Sequence, residues 1–332
     1  MPADQPAASE QPRVRRPLAG WATIIVRLTA TVGLMTWAVW NVDWPMFMSK
    51  LAAAEAGWWL AGLTVTLLVQ VIAGLRWASL ARPLGFDFPR RFFVRRFYEG
   101  MFFSLCLPSS IGGDVVKAAR IGSSTPLRLL AACSVLADRL TGLSALGVLV
   151  GTAVLSRRYG LGTAGTLGIF AGLLGAVLAA FRLGLALLDR VHAALPEDSA
   201  ARRFVAQLLP YRERPQFILL AVLWSFVVQA GGVLAVTLVA RSLDVSLPAL
   251  VWLSVVPLVA LAMVLPISIG GLGVREKSFE ALLPAFGVPA ETALAIALLW
   301  GLCTTLAGLL GGVVFLLERR PLETPSTTAA VG

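Results

Sequence analysis

The chain has 332 residues, of which 58% are hydrophobic and only 14% are charged. A soluble protein of this size needs more charge on its surface, so the composition excludes an ordinary soluble domain and predicts an all-α integral membrane protein. The net charge of +10 does not indicate a nucleic acid partner, because the arginines are concentrated in short segments beside apolar stretches, as in the cytoplasmic loops of membrane proteins.

The cysteine and histidine content argues against several kinds of site. Cys106, Cys133 and Cys303 lie in apolar stretches without a CxxC pair, and His192 is the only histidine. A disulfide framework, a histidine-based metal site and a Ser-His-Asp triad are therefore not expected. We expect no metal, no cofactor and no catalytic residues.

Apolar stretches of about 20 residues, the length that a helix needs to cross a bilayer, recur from residue 21 onwards. They predict six full transmembrane spans, at residues 21–40, 58–80, 128–155, 162–188, 217–240 and 291–317. Residues 1–20 begin as a polar, proline-rich stretch and are expected to be a disordered tail without a cleaved signal peptide. A single membrane domain is predicted over 21–318, followed by a second disordered tail over 319–332.

Two further apolar stretches, 97–121 and 249–284, are interrupted near their middles by similar motifs. The first motif reads LPSSIGG, at residues 107–113, and the second reads LPISIGG, at residues 265–271. Proline removes a backbone donor, and paired glycines weaken a helix. Each stretch is therefore predicted to form a re-entrant broken helix rather than a straight span.

The arginines favour one orientation in the membrane. They are frequent before residue 21, in 81–96, in 189–216 and after residue 318, whereas the segment 41–57 has Lys50 as its only basic residue. Basic residues are enriched in cytoplasmic loops. Both termini are therefore predicted to be cytoplasmic, in a multi-pass protein of the cell inner membrane.

The two motifs indicate an inverted repeat. Three predicted full spans separate them, so the two copies would enter the membrane from opposite faces. Their flanks also correspond, since Gln70 stands in VQVIAGLRWASLARPL and Gln229 stands in VQAGGVLAVTLVARSL. Chance similarity between helices rich in Leu, Ala and Gly is the alternative, but the matched offsets favour repeat halves at about 21–155 and 162–317.

Two broken helices that meet near the membrane midplane would bring two helix N-termini together. A helix N-terminus offers free N–H groups and a partial positive charge, which suits a phosphate. Serines in the motifs could cap the second half-helices, and glycines would let a ligand approach the backbone. The candidates are Ser109 or Ser110, Gly112, Gly113, Ser268, Gly270, Gly271 and Gly273. The alternative is that the glycines only allow close helix crossing.

Ionisable residues follow both motifs and occur within a predicted span, where each is a functional hypothesis. The candidates for binding a lipid phosphate are Asp114, Lys117, Asp138, Arg139, Arg275 and Glu276. The three basic residues favour charge-assisted contacts to phosphate, whereas Asp138 could simply neutralise Arg139 or Lys117. The secondary candidates are Gln70, Gln229 and Glu280. The two glutamines could instead form interhelical hydrogen bonds only.

Three segments resemble the lysylphosphatidylglycerol synthetase transmembrane-region family, also called flippase-like. They are LPSSIGGDVVKAARI, ADRLTGLSAL and LPISIGGLGVREKSFEALLPAFGVP, and the resemblance covers about residues 20–318. In the best-understood members, a membrane half moves an aminoacylated phospholipid across the bilayer, and a separate soluble half synthesises that lipid. Because the sequence shows no synthase half after its last predicted span, we do not expect the family's enzymatic activity here. Other relatives are associated with cell-envelope glycolipid or polyprenyl-phosphate pathways.

The resemblance assigns functional positions to the motif residues. They are Pro108, Gly112, Gly113, Asp114, Asp138, Arg139, Pro266, Gly270, Gly271, Gly273, Arg275 and Glu276. Two departures argue against the same headgroup. Lys117 stands where relatives often have Arg, which removes a bidentate donor, and Trp300 and Gly301 stand where relatives often have an Arg in the last span.

The sequence therefore predicts a lipid transporter, either a flippase or a scramblase. Its expected partners are membrane lipids, either an anionic phospholipid or a lipid linked to polyprenyl phosphate. No GxxxxGK[ST] motif for ATP is present. The alternative is a non-transporting accessory subunit that binds an enzyme of envelope glycosyl transfer or lipid synthesis. An intramembrane enzyme with Asp114, Asp138 or Glu276 as acid/base groups ranks last.

Overall fold

The computed structural model describes residues 18–40, 42–106, 112–265, 268 and 270–317. All regular elements in these ranges are helices, as the sequence predicts. In chain order the α-helices are α1 (Leu18–Val39), α2 (Trp44–Ala52), α3 (Ala56–Ala81), α4 (Arg90–Cys106), α5 (Gly112–Ile121), α6 (Thr125–Arg158), α7 (Thr163–Ala194), α8 (Ala200–Ala206), α9 (Pro210–Glu213), α10 (Gln216–Ser242), α11 (Ala249–Val264), α12 (Val274–Leu282) and α13 (Ala290–Leu317). Short 3₁₀ turns follow α3 at Arg82–Leu84 and α12 at Leu283–Phe286.

Among the described residues, five helices are long and apolar enough to cross a membrane, namely α3, α6, α7, α10 and α13. They coincide with five of the six predicted spans, which supports a multi-pass membrane protein. The 34 residues of α6 extend beyond the bilayer's hydrocarbon core, which is about 30 Å thick, because a helix rises about 1.5 Å per residue. The sixth predicted span corresponds to α1, whose apolar part Leu28–Val39 is shorter, so that crossing stays a prediction.

Each of the two interrupted stretches contains two helices. α4 ends at Cys106 and α5 begins at Gly112, whereas α11 ends at Val264 and α12 begins at Val274. α5 has 10 residues and α12 has 9. At the α-helical rise each is therefore only about 15 Å long or less, half the thickness of the hydrocarbon core. Neither helix can cross a membrane by itself. Outside the described residues lie Pro108, Ser109, Ser110 and Pro266.

Three segments that the sequence predicts as loops contain helices, and the segment 189–216 includes α8 and α9. The segment 41–57 includes α2, which begins after Asp43, and the Asp43 carboxylate accepts a hydrogen bond from the first turn. The segment 81–96 includes the start of α4. An arginine-rich helix forms there because its aromatic side chains are buried, as in the edge-on contact between Phe93 and Trp77 at 5.2 Å.

The helices of the two chain halves pack on each other in a reciprocal pattern. α3 packs along α10, while α4 packs against α13 of the second half and α11 packs against α6 of the first. In the same way α5 lies against α4 and α6, and α12 lies against α11 and α13. α7 is peripheral, since it packs against α6, α8 and α9 and none of its residues is buried. The contact between α3 and α10 is the most extensive contact between two helices in the described structure.

The segment between α7 and α10 is attached to α3. The hydroxyl of Tyr211 on α9 donates a hydrogen bond to the carbonyl oxygen of Leu80 at 2.5 Å, and both residues are buried. Burial raises the pKa of Tyr211 above its usual value. The hydroxyl therefore keeps its proton, and this hydrogen bond, at neutral pH.

Glycines on α13 allow α4 to approach closely. A Cβ atom added at Gly311 would overlap the carbonyl oxygen of Tyr98, and one added at Gly312 would lie 2.8 Å from the ring of Phe102. Small residues at a helix crossing permit such packing in membrane proteins. Because α4 and α13 come from different halves of the chain, this crossing holds the two halves together.

Gly311→Ala is expected to lower the free energy of unfolding by about 1–3 kcal/mol, since the added methyl group meets backbone rather than a flexible side chain. Gly232→Ala on α10 is the matched control, because nothing lies within 4 Å of a Cβ atom there. The control should be neutral or slightly stabilising, since alanine favours a helix by up to about 1 kcal/mol. Unfolding of both variants in detergent would be compared, and equal stability would contradict the close crossing.

Candidate functional site

A cavity of about 450 Å³ lies where α3 and α10 meet the interrupted helices. Its lining comes from α3, α4, α5 and α6 and from α10, α11 and α13, so both halves of the chain contribute to it. Residues predicted from the sequence that line the cavity are Gln70, Asp114, Lys117, Asp138, Arg139, Gln229 and Gly270. The structure thus brings together charged residues of α5 and α6, both glutamines and one glycine of the second motif.

Arg76 and Asp138 form a buried ion pair in the cavity lining. Nε of Arg76 donates to Oδ1 of Asp138 at 2.8 Å, and Nη1 donates to Oγ of Ser225 at 3.0 Å. The Arg76 and Asp138 side chains are only 8% and 5% exposed, so each charge depends on the other for compensation. The structure shows an Asp138 carboxylate paired with Arg76 of α3, rather than with the neighbouring Arg139 or Lys117.

Asp114 links two cations at the cavity. Its Oδ1 lies 2.7 Å from Nζ of Lys117, and its Oδ2 accepts from Nε of Arg139, also at 2.7 Å. Asp114 belongs to the first turn of α5, where the helix dipole favours a negative charge. A carboxylate of the protein therefore already lies at this helix N-terminus, and Lys117 and Arg139 are the groups that can contact a further anion.

The ammonium group of Lys117 lies between aromatic rings. Its Nζ is 4.8 Å from the ring centroid of Phe97 and 5.7 Å from that of Trp77, distances at which a cation is attracted to a ring face. The side chain passes Gly100, where a Cβ atom would lie 2.9 Å from Cγ of Lys117. Lys117 is 7% exposed, so its ammonium group is a buried positive charge in the cavity lining.

Arg275 and Glu276, the charged residues that follow the second motif, do not line this cavity. Glu276 accepts a hydrogen bond from the N–H of Gly273 at 2.6 Å, and its other oxygen pairs with Arg275. Both side chains are buried, and the Arg275 guanidinium lies 5.9 Å from the ring centroid of Trp300. A Cβ atom at Gly301 would overlap that guanidinium. The absence of a side chain at Gly301 therefore makes room for Arg275.

Most glycines in and beside the motifs have a backbone role, either a positive φ angle or a close approach between helices. Gly270, Gly271 and Gly273 have φ angles of 61°, 77° and 82°, a left-handed region that glycine adopts without strain. A Cβ atom at Gly113 would overlap the carbonyl oxygen of Gly100. Gly113 thus allows close crossing of α4 and α5, which is the alternative that the sequence leaves open for these glycines.

Other predicted residues lie elsewhere in the described structure. Ser268 is buried, and its Oγ has no hydrogen-bond partner among the described residues. Glu280 accepts from Nζ of Lys277 at 2.8 Å on α12. Gly112 is buried at the start of α5, and Ser110 lies outside the described residues. Among the described residues, Ser268, Glu280 and Gly112 do not line the cavity.

Arg76 is a cavity residue that the sequence reasoning missed. It is an ionisable residue within a predicted span, the same criterion that selected the charged residues of α6, so the signal was present. Glu99 was also missed; it is fully buried on α4 and pairs with Arg96 and, at 3.5 Å, with Arg120. Since α4 was expected to begin later, part of this ion-pair group fell in a predicted loop.

An apolar groove of about 740 Å³ adjoins the charged cavity. The residues that line both are Asp114, Arg139, Leu143, Met263 and Val264. The rest of the groove is mainly aliphatic, and Val115, Leu129 and Leu136 in its lining are more than half exposed. The groove therefore lies at the surface of the molecule, with the ion pair of Asp114 and Arg139 at its junction with the cavity.

Comparison with known proteins assigns the chain to a family. The sequence model described as Lysylphosphatidylglycerol synthase TM region matches residues 24–312. The match covers most of the chain, so the protein belongs to this family, as the motif segments predict. No curated protein sequence matches the chain. Within the described ranges no group of three His, Cys, Asp or Glu residues could hold a metal ion.

Asp138→Leu and Arg76→Met are each expected to destabilise the protein by about 3–5 kcal/mol, because each leaves an uncompensated buried charge. The double variant should recover most of that loss, since it leaves neither charge behind. Chemical denaturation of the two single variants and the double variant in detergent would give the coupling energy. Additive losses would contradict a direct ion pair.

Proposed function

We propose that this member of the lysylphosphatidylglycerol synthase TM-region family is a lipid transporter. In this proposal the charged cavity holds an anionic headgroup while the apolar groove holds an acyl chain. The observation that carries the proposal is the junction of cavity and groove at Asp114 and Arg139. A phospholipid has the same division into a charged part and an apolar part, joined at the phosphate.

The cations at the junction are suited to the phosphate. Arg139 and Lys117 both contact Asp114. A bound phosphate could therefore contact the same two cations while each cation keeps a negatively charged neighbour. Charge-assisted hydrogen bonds to phosphate are strong, and stronger still where water is excluded. Arg139 is 46% exposed along its side chain, which leaves it accessible from the groove.

The reciprocal packing of the helices supports an inverted repeat. Exchanging α3 for α10, α4 for α11, α5 for α12 and α6 for α13 turns the packing of one half into that of the other. The interrupted helices would then be re-entrant from opposite faces. Rocking of the two halves about α3 and α10 would open the cavity alternately to each leaflet. Any energy would come from gradients or membrane potential, since no ATP motif is present.

We further propose the setting in which transport occurs. The arginine distribution supports cytoplasmic termini in the cell inner membrane, with α1 as a sixth crossing. The transported lipid is an anionic phospholipid or a lipid linked to polyprenyl phosphate, and the protein acts without catalysing a reaction. An enzyme of envelope biosynthesis is a further partner if the lipid passes from one protein to the other.

Arg139→Gln is expected to slow lipid movement by about tenfold or more, because it removes a charge-assisted contact to the phosphate. Arg158→Gln is the matched control, since Arg158 lies at the C-terminal end of the same helix, is exposed and does not line the cavity. Purified protein in liposomes would be tested with lipids labelled on an acyl chain, and dithionite would report the label in the outer leaflet.

The outcomes separate the proposal from its alternatives. Movement by the native protein and the Arg158 variant, with loss in the Arg139 variant, supports transport through this junction. No movement of anionic, zwitterionic or polyprenyl-phosphate lipids by the native protein would favour a non-transporting accessory subunit. Equal movement by both variants would mean that the groove conducts lipid without phosphate contacts to Arg139.

A further inference from the structure

We infer that the cavity selects lipid headgroups with one net negative charge and disfavours cationic headgroups, and that Lys117 is the residue that determines this selection. The inference rests on the proposed function and deepens it. The substrate class that the inference names is an anionic lipid. An aminoacylated lipid, whose headgroup carries a net positive charge, falls outside this class. The charges of the lining and the surroundings of Lys117 are the two observations that support it.

The fixed charges of the cavity leave an excess of one cation. Among the described lining residues, Arg76, Lys117 and Arg139 are basic, and Asp114 and Asp138 are acidic. Arg76 is compensated by Asp138. The remaining group has two cations around one carboxylate, so one phosphodiester would make the cavity neutral. A headgroup with a net positive charge would add to the excess, which is costly in a region of low dielectric constant.

The place that suits a ligand's ammonium group is already filled. Nζ of Lys117 lies against the rings of Phe97 and Trp77 and 2.7 Å from Oδ1 of Asp114. Aromatic faces beside a carboxylate are the surroundings in which proteins bind ammonium groups. Lys117 is buried, with its stem in the space left by Gly100. The side chain of Lys117 therefore occupies the position that the amine of an aminoacylated lipid would need.

Removal of the Lys117 charge should change the selectivity. Lys117→Met keeps a flexible apolar side chain against the rings but removes the ammonium. Asp114 and Arg139 then compensate each other, and a ligand's ammonium group can lie between the rings and the carboxylate. Lys117→Arg is the matched control, since it keeps the positive charge. Discrimination against the wrong charge depends on this repulsive element as much as on attraction to the right one.

The test compares three lipids with the same labelled acyl chain in the liposome assay. Phosphatidylglycerol has one net negative charge, phosphatidylethanolamine has none, and lysyl-phosphatidylglycerol has one net positive charge. The native protein and Lys117→Arg should move the anionic lipid faster than the cationic lipid by about tenfold or more. In Lys117→Met that ratio should fall by about tenfold. Thermal unfolding of each variant would confirm that it is folded.

Equilibrium binding of the same lipids to the purified protein in detergent separates the inference from the proposed function. If the native protein binds the anionic lipid preferentially but moves none of the lipids, transport is wrong and the selectivity stands. Equal binding of anionic and cationic lipids by the native protein would overturn the inference. A preference that is unchanged in Lys117→Met would overturn the role of Lys117, and faster movement of the cationic lipid by the native protein would overturn the selectivity itself.

Discussion

Two short helices that begin within an apolar chain create the main physical constraint on this protein. The first turn of a helix leaves backbone N–H groups without helical partners, and a lipid environment cannot hydrogen-bond them. The chain places a carboxylate in the first turn of each, Asp114 in α5 and Glu276 in α12. Each carboxylate is paired with a cation: Asp114 contacts Lys117 of its own helix and Arg139 of α6, and Glu276 contacts Arg275 of its own helix.

The two carboxylates have different surroundings, and this difference separates the two halves. Asp114 lies at the cavity and contacts Lys117 and Arg139, of which Arg139 is partly exposed. Glu276 is fully buried with Arg275 in the space beside Gly301. The first interrupted segment therefore presents charge to the cavity, whereas the second uses an equivalent pair to fix α12 against α13. Similar motifs in the two halves thus support different tasks.

Close helix crossings allow charges to be buried in such an apolar molecule. Gly100 and Gly113 bring α4 and α5 together, and Gly311 brings α4 against α13. The cavity remains between these crossings, where Arg76 links α3, α6 and α10 through Asp138 and Ser225. The peripheral helix α7 contributes no buried residue. Buried charged residues therefore line a cavity that adjoins a partly exposed apolar groove.

The sequence by itself determined the features that depend on neighbouring residues. Apolar runs predicted the five helices that are long and apolar enough to cross a membrane, Pro and Gly-Gly located both interruptions, and the motif segments identified the family. Only the tertiary structure decided which charges meet, because contacts such as Arg76 with Asp138 join residues far apart in the chain. It also kept Arg275 and Glu276 out of the cavity lining. Hydrophobic periodicity specifies which helix face is buried. The helix that packs against that face is determined by close packing in three dimensions, and a local sequence pattern does not predict it.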